Sequence, residues 1–89
     1  MPDNLASLRV QFQEVCREVF LDEAIVLRDE MTARDVEGWD SFGHINLIIA
    51  TEQRFKVRFA TAEISGLTAE GQNVGSFLRL LASKVFRSP

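Results

Sequence analysis

The sequence predicts an all-α fold: a small four-helix bundle of three longer helices and one short one, with a long loop after the first helix. Three observations point there. Apolar residues recur at spacings of three and four near both ends of the chain. A long apolar stretch in the middle opens directly behind an Asp-Ser pair. The one segment that reads as a strand, "AIVL" at residues 24–27, has no second clear strand to pair with.

The first helix carries Leu5, Leu8, Phe12, Val15 and Val19 on one face, with Asp3 or Asn4 as its cap and Pro2 just outside. Residues 21–38 show no sustained period, so "AIVL" is expected to act as an apolar plug within a loop. This stretch is acidic: over residues 21–40 seven acids face Arg28 and Arg34, a net −5 against −3 for the whole chain. The next helix starts at Ser41, with Asp40 as N-cap, and runs to about Phe55. "TAEISGL" gives one short helical turn at residues 61–66, and "GLTAEGQ" a loop. The last helix takes Asn73 as cap and Val74, Phe77, Leu78, Leu81 and Val85 as its apolar face.

The 89 residues fit one domain, 1–89, with a modest core. A hydrophobic content of 46% excludes a disordered chain, and the negative balance argues against a nucleic-acid partner. No apolar run is long enough to span a membrane, and the opening "MPDNLASLRVQF" lacks the pattern of a signal peptide. The single cysteine, Cys16, reads as a half-buried helix residue, and no Cys/His cluster suggests a metal. A reducing, cytoplasmic setting and a monomer are expected.

Ser41 raises the functional question. On a wheel of about 100° per residue, His44, Leu47, Ile48, Thr51 and Phe55 share one side of its helix. Phe42, Ile45 and Ile49 share another, a candidate contact surface. His44, the only histidine, falls on the inward side and is expected to be a partly buried, hydrogen-bonded residue. Without an aimed base or a Gly-x-Ser-x-Gly elbow, a self-contained hydrolase is not expected and no catalytic residue is assigned. A hydroxyl at a helix start is instead suited to hold a phosphate ester, because free N–H groups and the helix dipole favour an anion there.

"GWDSFGHINLIIATEQRFKVRF", residues 38–59, resembles the prosthetic-group attachment region of acyl carrier proteins, the phosphopantetheine-binding family. The pattern reads Asp40, Ser41, Phe42, then Ile45, Leu47, Ile48, Ile49 and Phe55. The first helix, the long loop, the "TAEI" helix and "NVGSFLRLL" fall in the family's order, so the likeness covers most of the chain. It implies that a phosphopantetheinyl transferase attaches 4′-phosphopantetheine from coenzyme A to Ser41, with Asp40 presenting the serine. It also implies that acyl groups ride on the arm as thioesters between acyl-loading and acyl-transfer enzymes of a lipid or specialised pathway. Such a protein is a carrier and not an enzyme.

The chain departs from the family pattern. Phe42 replaces the usual leucine. Asn46, Gln53 and Arg54 stand where acids are common, leaving Glu52, with Lys56 and Arg58 beyond. "SGLTAEGQ" is a little long between the last two helices. A specialised free-standing carrier is therefore expected, read by its partners at Phe42, Ile45 and Ile49 and at the loop acids Asp35 and Glu37. Trp39 is expected to pack the loop, and the Arg54, Lys56, Arg58 cluster to be a solvated helix end. Two alternatives stay open. One is an aminoacyl or peptidyl carrier of a non-ribosomal assembly line; the other is a small helical interaction module in which Ser41 only starts a helix.

Overall fold

The computed structural model describes residues 2–67 and 71–86. Among these the chain is helical without strands: α1 (Leu5–Val19), α2 (Ser41–Phe55), α3 (Thr61–Gly66) and α4 (Val74–Val85), with a 3-10 turn at Ala33–Asp35. The expected loop "GLTAEGQ" lies partly outside the described residues.

α1 is the scaffold, packing against both α2 and α4. The Asn4 side chain accepts the Ser7 N–H at 2.9 Å and sets its start. Leu8, Phe12, Val15 and Cys16 are buried, and Val19 is half-buried. Two residues differ from the sequence reading. Leu5 has the right phase but, as the first residue of α1, is 66% exposed. Cys16 is fully buried rather than half-buried, and burial pushes its thiol up to about 12.

The "AIVL" segment is a plug, as expected, and the structure shows how a lone extended segment can be held. Ile25 and Leu27 enter the core while Val26 stays exposed. The polar groups that a partner strand would satisfy are met by α1 side chains. Gln13 Oε1 accepts the Leu27 N–H at 2.8 Å, and Arg17 Nε–H donates to the Ile25 carbonyl at 2.8 Å. Further on, the carbonyls of Asp29 and Met31 accept the Gly75 and Val74 N–H groups at the start of α4. Asn73 caps the same end by accepting the Ser76 N–H at 2.9 Å. The long loop is thereby pinned at both ends of its path.

Phe77 gathers the core aromatics, with ring centroids 4.8 Å from Phe12 and 5.8 Å from Phe59. α3 is tied at its edge: Glu63 accepts from the Ala60 N–H and from Lys84, and these bonds hold its carboxyl below the usual carboxylate range. No helix among the described residues is long and apolar enough to cross a membrane.

Candidate functional site

The site is built where the long loop runs into α2. Gly38 turns the chain at φ +90°, a conformation that side chains disfavour. Its carbonyl then lies against the first turn of α2: a Cβ on Gly43 would sit 2.0 Å from the Gly38 oxygen and 3.0 Å from Phe20 Cε1. Position 43 must therefore be glycine if the loop is to approach this closely. Trp39 is half-buried in the angle, stacked on Phe20 at 5.6 Å and edge-on to Phe77 at 6.4 Å. That is the loop-packing role its sequence context suggested.

Asp40 is the N-cap, accepting the Gly43 N–H on Oδ1 at 2.9 Å and the His44 N–H on its carbonyl at 2.8 Å. Ser41 follows as the first helical residue and is exposed. The N–H groups of Ser41 and Phe42 take no partner among the described residues. The helix dipole and these donors make the space in front of Ser41 favourable to an anion.

His44 does not face the serine hydroxyl. It is 5% exposed, with Nδ1 3.1 Å from Trp39 Nε1 and Nε2 3.0 Å from the Ile64 carbonyl. An indole nitrogen only donates and a carbonyl only accepts, so Nδ1 is the acceptor and Nε2 carries the proton. Both nitrogens are engaged, and Ser41 has no base from this residue.

The two faces of α2 separate as the wheel predicts. His44, Leu47, Ile48, Thr51 and Phe55 are buried, and Thr51 Oγ1 donates to the Leu47 carbonyl at 2.7 Å. Phe42, Ile45 and Ile49 are 81%, 52% and 47% exposed. Sequence reasoning missed what happens to the charges. Glu52, the one acid of α2, accepts the Phe59 N–H at 2.9 Å and so holds the chain leaving the helix. Arg54 is not simply solvated, since it pairs with Glu14 of α1 at 3.3 Å. Lys56 and Arg58 are exposed. The loop acids Glu37 and Asp35 are both exposed, and Asp35 also closes the 3-10 turn by accepting the Thr32 N–H at 2.9 Å.

No family model matches this sequence, and no curated protein does. A solved structure does match: the solution NMR structure of a holo acyl carrier protein from Geobacter metallireducens. It is 36% identical, covers 90% of this chain and 87% of its own, and superposes with a TM-score of 0.79. The chain belongs to the acyl carrier protein family. The all-α expectation and the family resemblance are both borne out. Gly43 escaped the sequence reading, although a glycine in the first turn of an otherwise apolar helix was its signal.

Proposed function

We propose that residues 1–89 act as one acyl carrier domain, with Ser41 Oγ as the attachment point for 4′-phosphopantetheine donated by coenzyme A. The observation that carries the reading is the placement of Ser41: exposed, first in its helix, without a base, beside two unpartnered N–H groups. The residues present fit the group. Ser41 Oγ would hold the phosphodiester, the first turn of α2 favours its negative charge, and Asp40 fixes that turn. The thiol at the end of the arm supplies the thioester chemistry of acyl transfer.

The chain's own residues then present and dock; they do not catalyse. Ser41 Oγ would bond to the phosphorus next to the pantetheine, the pyrophosphate bond of coenzyme A would break with adenosine 3′,5′-bisphosphate leaving, and a separate phosphopantetheinyl transferase would take the serine proton, since both His44 nitrogens are engaged elsewhere. Phe42, Ile45 and Ile49 offer the transferase and acyl-handling enzymes an apolar stripe beside Ser41, and Glu37 supplies exposed acid at the loop. The absence of an unengaged acid on α2 supports a specialised carrier rather than one of primary fatty acid synthesis. The buried Cys16 accords with a cytoplasmic setting.

Incubation with coenzyme A and a broad-specificity transferase, read by intact mass, tests this. One phosphopantetheinyl addition is expected, and none in Ser41→Ala. Addition at Ser65 or Ser76, or continued addition in Ser41→Ala, overturns it.

A further inference from the structure

His44 is a buried titratable residue that the carrier function leaves without a task. It also joins three elements. Its backbone belongs to α2. Its Nδ1 accepts from Trp39 Nε1, in the loop one residue before Asp40. Its Nε2 donates to the Ile64 carbonyl of α3. The imidazole and indole lie nearly parallel, 15° apart with centroids at 6.3 Å. α3 is also held by the Glu63–Lys84 pair, with Lys84 Nζ 5.2 Å above the Phe59 ring. Any buried imidazole needs its nitrogens satisfied, so what matters is where the partners lie. Here they lie in directions that fix the loop on one side and α3 on the other.

We propose that His44 is a positioning residue for the modification of Ser41. By holding Trp39 it fixes the approach of Asp40 and Ser41 to the first turn, and by holding Ile64 it makes that approach depend on where α3 sits. The proposal rests on the carrier reading above. Its physical content is that Ser41 has no tether of its own. The serine is aimed by the N-cap, and the N-cap is aimed by a tryptophan whose one polar atom is bonded to His44. Losing a buried hydrogen bond of this kind loosens the aim without altering the exposed docking residues.

The test is steady-state modification of the full chain by a phosphopantetheinyl transferase with coenzyme A, comparing wild type, His44→Leu, His44→Gln and Trp39→Phe. His44→Leu keeps an apolar core residue and removes both side-chain bonds. Trp39→Phe keeps an aromatic ring and removes the donor. The expected result is a kcat lower by about five- to tenfold in His44→Leu and in Trp39→Phe, with KM for the carrier within about twofold of wild type. The double variant should be no slower than the slower single one, because both break one link. His44→Gln, which can still accept and donate, should recover part of the rate. A folded His44→Leu with wild-type kcat overturns the proposal, as does a loss confined to KM. Should His44→Leu fail to fold, wild-type kcat in Trp39→Phe overturns it equally. Failure of the wild-type protein to be modified refutes the carrier reading instead, so the two are told apart.

Discussion

Replacing Gly43 by alanine gives the sharpest test of how this site is built, because the structure reverses the usual sign. An alanine in place of a helical glycine ordinarily stabilises by about 1 kcal/mol. At position 43 the new Cβ would lie 2.0 Å from the Gly38 carbonyl oxygen, and tolerable contacts begin near 3.0 Å. The obstacle is backbone, so it cannot rotate away; the carbonyl must retreat by about 1 Å. Retreat loosens the stack of Trp39 on Phe20 and disturbs a turn already held at positive φ. Overpacking costs about 1–3 kcal/mol, and a contact this short with backbone belongs to the upper part of that range, about 2–3 kcal/mol, which exceeds the propensity gain of about 1 kcal/mol. The net expectation is a destabilisation of roughly 1–2 kcal/mol, or a melting temperature lower by about 4–15 °C for a domain of this size. Gly66→Ala is the control, since a Cβ there meets nothing within 4 Å; it should leave stability unchanged or raise it by up to about 1 kcal/mol. Thermal unfolding followed by the helical circular dichroism signal measures both. A Gly43→Ala protein that melts at or above wild type would refute the close approach of loop and helix.

The two faces of α2 should separate in mutagenesis: Leu47→Ala should cost about 2–5 kcal/mol in urea unfolding, whereas Phe42→Ala should cost less than about 0.5 kcal/mol yet slow modification of Ser41. Large destabilisation by Phe42→Ala with modification intact would reverse that assignment. Asp40→Asn keeps a good N-cap and should leave the melting temperature nearly unchanged, while Asp40→Ala should lose about 1 kcal/mol; both should be modified slowly if the carboxylate itself serves the transferase, and a wild-type rate in Asp40→Asn would show that capping is its whole role. Glu37→Lys should slow modification at low salt and less so at high salt, because exposed charge is screened over about 8 Å at physiological ionic strength. Glu52→Gln, whose amide oxygen can still accept the Phe59 N–H, should matter less, and a larger loss there than in Glu37→Lys would show that partners read the helix after all.

Periodicity made the helices legible. The spacing of Leu8, Phe12 and Val15, and of Val74, Phe77, Leu78 and Leu81, states a face and a period, and each of these residues is buried. Capping chemistry is equally local, so Asn4, Asp40 and Asn73 were readable as helix starts. Non-local satisfaction was not. Nothing in the neighbourhood of Gln13 or Arg17 says that these side chains will serve the backbone of residues 25 and 27, and nothing around Glu52 announces a bond to the Phe59 N–H. The wheel correctly turned His44 inward but could not name its partners, one of which lies 20 residues away. Exposed charges were the least legible: Arg54 reads as part of a solvated helix end and Asp35 as a partner contact, and both also bond within the chain.

The two longer helices that follow loops begin in different ways, and the difference suits the start of α2 to the attachment proposed for Ser41. At α4 the first four N–H groups all have partners: Met31 and Asp29 carbonyls for Val74 and Gly75, the Asn73 side chain for Ser76, and the Asn73 carbonyl for Phe77. The long loop lies across that end, so closely that a Cβ on Gly75 would come within 3.2 Å of Asp29 Cβ. At α2 the loop arrives from the side, with the Gly38 carbonyl against Gly43, and among the described residues only the third and fourth N–H groups are taken. The end itself is left uncovered, and the residue standing on it is Ser41. The same contact therefore does two things that suit the proposed attachment: it fixes the helix start, and it keeps the loop backbone to the side of Ser41. From this it follows that stability and modification are coupled at Gly43, where moving the loop disturbs both, and separable at Phe42, where only the outward surface changes.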